Sequence, residues 1–296
     1  MPSPIDMTAA PTGRRSFSRL PGWVEDDLVA ALTAFLRIPA NPLAGAAREA
    51  ANARTFFQAH FVPDLDIAGH FTGYYEPEFP GARTPSDAFP VPLHAEPPGG
   101  CKWPRGEIEP HLIGHEIVWV RDEVDRFFAQ VQGSARIRFR DGSVMRVGHS
   151  AKNGQPYVSI GKRLVRRGVF GPDITADALK AWLRADSERG RRVMHENPSY
   201  VFFRILETDP SLGPIVTLGC PATTGRTLAV DPDHLPLGTP VWIEVDGIAR
   251  LCIAQDTGSA IKGAGRADLF FGTGDAAGTA AGRLNHPGTF TPLRRK

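Results

Sequence analysis

The sequence predicts a mainly β protein of two domains, with a few helices at its flanks. Three observations lead to this expectation. At 296 residues the chain is long enough for two domains. The stretch 78–110 is unusually rich in proline and glycine, as loops and domain crossings are. After about residue 208, short β-branched runs alternate with turns, which favours a small barrel or sandwich.

The N-terminal quarter contains the predicted flanking helices. Residues 1–22 are rich in Pro, Ser and Thr and are expected to be disordered. The first helix begins behind the acidic Glu25-Asp26-Asp27, and a second helix is predicted over 46–60 from its apolar spacing. HFTGYYEPEFPG, starting at His70, follows as a strand.

The middle of the chain mixes helices and strands. A helix is predicted over 122–132 with Asp122 as its N-cap, and another begins at the capping residue Thr175. ARIRFR and SVMRV flank Asp141-Gly142, which predicts a β-hairpin with that pair as its turn. A further strand is expected in NPSYVFFRILE, which starts at Asn197.

The C-terminal third loses the helical pattern and reads as strands. The predicted strands are PIVTL, TLAVD, PVWIEV, ARLCIAQD and DLFFG. Turns such as Asp231-Pro232 and Asp246-Gly247 separate them.

Composition excludes several functional classes. A net charge of +2 without a basic, aromatic-rich stripe argues against nucleic acid as a partner. The histidines lack metal-ligand spacing and no Walker A, Rossmann or GxSxG motif occurs, so neither a metal nor another cofactor is expected. Three cysteines without a CxxC pair read as small buried residues. No run is long and apolar enough to span a bilayer, and no signal peptide or lipid-attachment cysteine is recognised.

The candidate acids lie in the C-terminal region. Asp231, Asp256, Asp268 and Asp275 all adjoin turns, where an aspartate is often only a turn-former. Asp268 differs because it directly precedes the apolar run 269–271 and therefore starts a strand among glycines. A carboxyl group with few charged partners in such a place retains its proton and can donate it. Asp256 ends a strand and is expected beside it.

Asp256 also begins the tetrapeptide DTGS, which occurs in aspartic proteases. Those enzymes need two such aspartates sharing a proton, and this chain contains one DTG. A protease would therefore have to be a symmetric dimer, which is improbable at this length. Aromatic residues offer a different possibility, because Tyr74 and Tyr75 have flat faces suited to stacking on sugar rings.

Taken together, ordered segments of the chain resemble the lytic murein transglycosylase A family from about residue 65 onward. The segments are TGYYEP (72–77), FFAQVQGSARI (127–137), NGQPYVSIGKRLVRRG (153–168), NPSYVFFR (197–204), GRTLAVDPDHLPLGTPVW (225–242) and AQDTGSAIKGAGRADLFFGTG (254–274). The last two also resemble the 3D domain, named for three aspartates, which here are Asp231, Asp256 and Asp268. Arg266-Ala267 stands where some members have His-Phe before the catalytic aspartate.

The resemblance implies a fold and its boundaries. The fold is a double-psi β-barrel interrupted by an inserted, mostly β second domain, with a few flanking helices. Residues 23–77 and 208–296 would form the barrel, and 78–207 the inserted domain. The substrate groove would lie between the two.

The resemblance also implies cleavage of the β-1,4 bond between N-acetylmuramic acid and N-acetylglucosamine in peptidoglycan, without water. Asp268 would be the single catalytic acid and then the base, with Asp256 assisting it. The product would carry a 1,6-anhydro ring. The candidate substrate-binding residues are Thr72, Tyr74, Tyr75, Gln132, Asp231, Lys262 and Arg266.

Two alternatives and a location accompany this hypothesis. A two-carboxylate hydrolase would use Asp256 as base or nucleophile, and a non-catalytic barrel would only bind glycan. Peptidoglycan strands are the expected partner, and the protein is expected to be a monomer. From the family, the periplasm or the outer membrane is the expected location.

Overall fold

The computed structural model of the protein describes residues 16–209 and 211–296. Within them, short 3-10 helices lie at Phe17–Arg19 and Glu109–His111. The α-helices are α1 (Leu28–Leu36), α2 (Ala44–Glu49), α3 (Ala53–His60), α4 (Glu123–Gln132), α5 (Ile160–Arg166), α6 (Ala176–Ala185), α7 (Ser187–His195) and α8 (Asp275–Arg283). The strands are β1 (Phe61–Pro63), β2 (Ile67–Glu76), β3 (Glu78–Ala82), β4 (Val91–His94), β5 (Glu116–Val120), β6 (Ser134–Arg138), β7 (Val144–Lys152), β8 (Val201–Leu206), β9 (Thr227–Val230), β10 (Pro240–Val245), β11 (Ile248–Asp256), β12 (Arg266–Thr273) and β13 (Asn285–Arg295). The prediction of a mainly β protein with some helices is confirmed.

The larger sheet combines strands from both ends of the chain. Its order is β1-β13-β10-β11-β9-β12-β2, and β13 pairs with β2 as well as with β10. The pairs β9–β11 and β12–β2 are parallel, and the remaining pairs are antiparallel. Strand β9, of sequence TLAV, is buried along its whole length. A strand covered on both faces needs apolar side chains at successive positions, as Leu228, Ala229 and Val230 provide.

The second sheet takes all its strands from the continuous stretch between β2 and β9. Its order is β4-β5-β3-β6-β7-β8. Helices α4 to α7 contribute to its core through residues such as Phe127, Leu164, Leu183 and Met194. This stretch therefore contains four helices beside its six strands, a larger helical share than predicted. The core of the first sheet, around Leu228, Ile243 and Leu269, shares no residue with it.

Local signals in the sequence are borne out in this second part. The Asp122 carboxylate accepts a hydrogen bond from the Asp125 amide at 2.8 Å, and the Thr175 hydroxyl accepts one from the Ala178 amide at 3.1 Å. Both residues cap their helices as predicted. Strands β6 and β7 form the predicted hairpin, and Gly142 adopts the positive φ of 82° that its turn requires.

Two N-terminal predictions need correction. Residues 1–15 lie outside the described residues, but 16–22 are ordered: Phe17 and Leu20 are buried in the core that also contains Trp23. The disorder prediction is therefore wrong for 16–22. The helix predicted over 46–60 is two helices, because the backbone is extended at Ala50 and the Asn52 side chain caps α3.

Three further predictions fail where tertiary contacts override local sequence. The stretch 78–110 is not only loop: β3 lies largely within the strand predicted from His70, whereas β4, which pairs with β5, was not predicted. PIVTL contributes only an isolated bridge between Ile215 and Pro221. Helix α8 lies after residue 208, where no helix was expected. It packs so tightly on β2 that a Cβ at Gly73 would lie 2.6 Å from the Ala281 carbonyl oxygen.

Across residues 16–209 and 211–296, the helices are too short or too polar for any of them to span a bilayer. Cys101, Cys220 and Cys252 are free thiols, and the last two are buried.

A buried ion pair joins the two sheets where the chain crosses between them. Glu76 ends β2, and its carboxylate accepts hydrogen bonds from the Arg146 guanidinium at 2.8 and 3.2 Å and from the Thr273 hydroxyl at 2.9 Å. Arg146 also donates to the Thr208 hydroxyl and the Leu212 carbonyl, so it holds the returning chain as well. Burial raises the pKa of Glu76, because desolvation outweighs the field of Arg146.

We expect Glu76→Gln to destabilise the fold by about 3–5 kcal/mol, because it leaves Arg146 buried without a counter-charge. Urea unfolding at neutral pH measures this loss. Glu78→Gln is the matched control, because Glu78 pairs with the half-exposed Arg138 and is expected to contribute only about 0–1 kcal/mol. Equal losses in the two variants would contradict the role of the buried pair.

Candidate functional site

The site is built on the register of four neighbouring strands. Asp256 of β11 and Asp268 of β12 are both paired with Ala229 of β9, and Asp268 is also paired with Thr72 of β2. Directly paired residues point to the same face of a sheet. Four residues from four strands therefore form one row, with the two aspartates on either side of an alanine.

The small side chain of Ala229 leaves space between Asp256 and Asp268. Adjacent strands lie ~4.8 Å apart, so the Cα atoms of Asp256 and Asp268 are separated by roughly 10 Å. Ala229 contributes only a methyl group to the space between them and lines the cavity above it. A β-bulge between Ala254 and Asp256 shifts the register there, so that Gln255 is buried and Asp256 reaches the cavity.

Asp268 lies in an environment that favours its protonated form. Its Oδ1 accepts a hydrogen bond from the Thr72 hydroxyl at 2.6 Å, and among the described residues its Oδ2 accepts none. Burial raises the pKa of Asp268 to about 6, and the nearby Asp256 charge adds to that rise. The Thr72 hydrogen bond and the Arg266 guanidinium oppose it. Arg266 does not reach the carboxylate, since it donates instead to the Thr72 hydroxyl at 2.8 Å.

Asp256 is surrounded by donors. Its Oδ1 accepts from the Thr217 amide at 3.1 Å, the Thr217 hydroxyl at 2.8 Å and the Thr257 amide at 2.9 Å. Its Oδ2 accepts from the Tyr74 hydroxyl at 3.0 Å. Both carboxylate oxygens of Asp256 therefore already accept hydrogen bonds. The two aspartates therefore have opposite environments.

The two adjacent tyrosines lie on opposite faces of β2, as alternation in a strand requires. Tyr74 lines the cavity, packs on the Phe270 ring at 5.2 Å and has a strongly raised pKa, because it is buried beside Asp256. Tyr75 is 5% exposed and is not among the residues lining the cavity. Its ring lies against Gly278 of α8, and its hydroxyl accepts a hydrogen bond from the Lys180 amine at 3.3 Å. The structure thus places Tyr75 away from the predicted groove.

The cavity above the aspartates has a volume of about 1010 Å³ and lies between the two sheets. One side consists of Tyr74, Asp256, Asp268 and neighbouring loops. The opposite side comes from the second sheet and its helices and includes the predicted residue Gln132, whose Oε1 is 3.5 Å from the Tyr75 amide. Also on that side are His149, Lys152, Arg204 and Arg105.

Three predicted binding residues lie elsewhere. Asp231 is buried, and its carboxylate accepts from the Lys262 amine at 3.2 Å and the Gly263 amide at 2.8 Å. These contacts lower the pKa of Asp231 and fix the loop before β12. Asp231 and Arg266 line a separate cavity of about 50 Å³, and neither lines the large one. Lys262 does not line the large cavity either. Thr72 also lies outside its lining and is connected to it by the hydrogen bond to Asp268.

Sequence reasoning missed the basic side of the cavity. Arg204 ends the segment NPSYVFFR, and Lys152 directly precedes NGQPY, so both were near recognised motifs. Arg105 lies in the proline-rich stretch, where no pattern marks it. Among the described residues, no cluster of three or more His, Cys, Asp or Glu side chains has a geometry that would hold a metal ion.

Two family models match the chain, one in each part of the fold. The MltA specific insert domain matches residues 101–204, and the 3D domain matches residues 226–294. A curated relative is the membrane-bound lytic murein transglycosylase A of Vibrio cholerae, 34% identical over 236 residues. The alignment covers 74% of this chain and 63% of the relative, so the chain spans slightly less than two thirds of that relative's length.

Solved structures are similar over nearly the full chain. The membrane-bound lytic murein transglycosylase of Agrobacterium tumefaciens is 31% identical with a TM-score of 0.84, covering 95% of this chain and 97% of that one. Escherichia coli MltA with bound chitohexaose is 27% identical with a TM-score of 0.77, covering 91% and 89%.

We expect Asp268→Asn to stabilise the fold in a pH-dependent way. With a folded pKa of about 6 and an unfolded value of about 3.9, the native state retains a proton that the unfolded state loses. The contribution of Asp268 is therefore fully present below pH ~4 and is lost as the pH rises through ~6. The variant should be more stable than wild type by about 1–3 kcal/mol at pH 7.5 and equally stable at pH 4.

Urea unfolding at both pH values measures the difference. Asp275→Asn is the control, because it makes the same chemical change at an exposed aspartate seven residues away. A gain that is the same at pH 4 and pH 7.5, or no gain at all, would contradict the raised pKa of Asp268.

Proposed function

The chain belongs to the lytic murein transglycosylase A family, and on this basis we propose that it cleaves peptidoglycan strands. The bond broken is the β-1,4 link between N-acetylmuramic acid and N-acetylglucosamine, and the product is a 1,6-anhydro-muramoyl end formed without water. The observation that carries this proposal is the contrast between the two aspartates facing one cavity. Asp268 is protonated more readily than usual, and Asp256 has both oxygens engaged by four hydrogen-bond donors.

In the first step, protonated Asp268 donates its proton to the glycosidic oxygen. Positive charge then develops at C1 of the muramoyl sugar, and the bond to the leaving sugar breaks. A pKa of about 6 supports this role, since a sizeable fraction of the carboxyl group carries its proton near neutral pH. The Thr72 hydrogen bond fixes Oδ1 and leaves Oδ2 available to the substrate.

In the second step, the Asp268 carboxylate takes the proton of the C6 hydroxyl on the same muramoyl sugar. The C6 oxygen attacks C1 and closes the anhydro ring, which regenerates protonated Asp268. Because nucleophile and electrophile belong to one sugar, effective molarity replaces an enzymic nucleophile. One carboxyl group therefore serves both steps.

Asp256 acts as a fixed negative charge beside the reacting sugar. Its four hydrogen bonds hold the carboxylate in place, where it stabilises the positive charge developing at C1. The same occupancy disfavours the two-carboxylate hydrolase, because a general base or nucleophile needs a free oxygen to reach water or C1. The aspartic protease alternative is disfavoured as well. Its two carboxyl groups must share one proton, whereas both Asp256 oxygens here accept hydrogen bonds from other groups.

The large cavity is the proposed glycan site. A structural relative is described as bound to chitohexaose, a β-1,4-linked amino-sugar chain. In this chain Tyr74 and Gln132 line the large cavity and are proposed to contact the strand, with Thr72 and Arg266 acting behind Asp268. Tyr75, Asp231 and Lys262 are proposed to maintain the shape of the site rather than to touch sugar.

Architecture and location complete the proposal. The pairing of β13 with both β10 and β2 supports a double-psi β-barrel over 23–77 and 208–296, with 78–207 as the inserted domain. The relatives are described as membrane-bound. We place the protein at the peptidoglycan layer, in the periplasm or on the outer membrane, and expect it to act as a monomer.

Asp268→Asn should lose roughly 10²- to 10⁴-fold in turnover of purified peptidoglycan, because it removes the only proton donor and acceptor of the reaction. Mass spectrometry of the wild-type digest should show anhydro ends. Asp275→Asn is the control and should retain activity. Reducing ends, heavier by one water molecule, would instead establish a hydrolase, and binding without soluble product would establish a non-catalytic glycan-binding protein.

The pH dependence of kcat/KM should follow the protonation of Asp268. Activity should fall about tenfold per unit above pH ~6, because only the protonated form donates. Thr72→Val removes a hydrogen bond that lowers the pKa of Asp268, so the falling limb should move to higher pH by about one unit. Thr72→Ser preserves the hydroxyl and should leave the limb in place. An unmoved limb in Thr72→Val would argue against Asp268 as the titrating acid.

A further inference from the structure

Three basic side chains on the second sheet face the cavity without partners. They are His149 and Lys152 of β7 and Arg204 of β8, which we call the basic wall. All three are exposed, and among the described residues none of their side chains makes a hydrogen bond or an ion pair. Most arginines of this stretch pair with carboxylates instead, Arg138 and Arg184 among them.

The fold holds these basic side chains together. Strands β7 and β8 are antiparallel neighbours, and a β-bulge between His149 and Ala151 locally changes the direction of the β7 side chains. Desolvation lowers the pKa of His149, and the charges of Lys152 and Arg204 lower it further, so His149 favours its neutral form. The two positive charges of Lys152 and Arg204, without counter-ions, raise the local concentration of anions.

A fourth cation lies deeper in the same side of the cavity. Arg105 is 6% exposed and donates to Gln130 Oε1 and to the Asn197 and Ser199 carbonyl oxygens, so no carboxylate neutralises it. The other buried arginines differ. Each of them contacts a carboxylate: Arg126 with Glu109, Arg146 with Glu76 and Arg226 with Asp26. Arg105 therefore adds an uncompensated positive charge behind the basic wall.

The two sides of the cavity thus carry opposite charge. The side with Asp256 and Asp268 is suited to an electron-poor sugar carbon, whereas the basic wall is suited to carboxylates. The sugars of the glycan backbone are themselves uncharged. In peptidoglycan, carboxylates are carried by the peptide attached to the lactyl group of the muramoyl sugar, or by that lactyl group once the peptide is removed.

We propose that the basic wall binds carboxylates of the peptide stem, so that the enzyme prefers strands whose peptides are charged. The inference rests on the proposed function and names the part of its substrate that the second sheet recognises. It assigns carboxylate binding to Lys152 and Arg204, and not to the predicted substrate-binding residues Lys262 and Arg266. The structure commits those two residues to Asp231 and Thr72.

The test compares two substrates that differ only in charge. Peptide-bearing strands are used as isolated and after chemical amidation of their peptide carboxyl groups, with strands stripped of peptide as a third arm that retains only the lactyl carboxylate. The measured quantity is the ratio of kcat/KM for charged over amidated strands. Wild type should favour charged strands, and Lys152→Ala/Arg204→Ala should reduce that ratio by about tenfold.

Lys162→Ala/Arg166→Ala is the matched control. It removes the same two charges from exposed side chains of the inserted segment that do not line the cavity, so its ratio should equal that of wild type. Binding of the same strands to an Asp268→Asn background, measured by calorimetry, should show the same charge preference without turnover.

The outcomes separate the two hypotheses. Equal turnover of charged and amidated strands by wild type, or an unchanged ratio in Lys152→Ala/Arg204→Ala, overturns the inference while the proposed function stands. A preference that is equally strong for stripped strands assigns the wall to the lactyl carboxylate and also overturns it. Wild type that releases no anhydro product from any strand overturns the proposed function, and the inference with it.

Discussion

The buried ion pair between Glu76 and Arg146 is the interaction on which the arrangement of the two sheets depends. It lies where the chain leaves the first sheet, and Arg146 also holds the segment that returns to it. Thr273, at the end of β12, donates to the same carboxylate. The strand that carries Asp268 is therefore tied to the second sheet through one buried charge pair. Because the charges are desolvated, the pair stabilises this geometry only while both partners are present.

Within the first sheet, register creates the chemical asymmetry of the site. Asp256 and Asp268 are the two neighbours of Ala229, so the sheet alone would make them equivalent. The loops break the equivalence. The chain around Thr217 and Thr257 supplies amides and hydroxyls to Asp256, whereas Asp268 receives a single hydroxyl from Thr72. Burial then raises the pKa of the less solvated carboxyl group.

Local chemistry was predictable from sequence wherever the interaction is short-range. The caps Asp122 and Thr175 and the Asp-Gly hairpin turn depend on residues within three or four positions, and all are observed. The strand alternation that separates Tyr74 from Tyr75 is equally local, but which face meets the cavity depends on β12. The recognised motifs contain the two aspartates and most of the residues that line the cavity, since these motifs occur in the family's order along the whole chain.

Long-range features escaped prediction for a physical reason. Strand β4 becomes a strand only through pairing with β5, and α8 has no apolar stripe because its small residues fit closely against β2. The partners of Lys262 and Arg266 depend equally on folding, since Asp231 is thirty-one positions from Lys262 and Thr72 is far from both. Sequence spacing shows which side chains are charged, but only the fold shows which charges are already neutralised.

That distinction explains how a proton donor and a basic wall can share one cavity. Positive charge close to Asp268 would lower its pKa and suppress the protonated form. Burial is the largest cause of the raised pKa of Asp268; the Arg266 charge lowers that pKa and the Asp256 charge raises it. The Asp256 charge also raises the pKa of His149, against the effect of Lys152 and Arg204. Asp256 therefore acts electrostatically on both sides of the cavity. Burial favours the protonated form of Asp268, and the Asp256 charge adds to this effect while it partly offsets the cations of the basic wall.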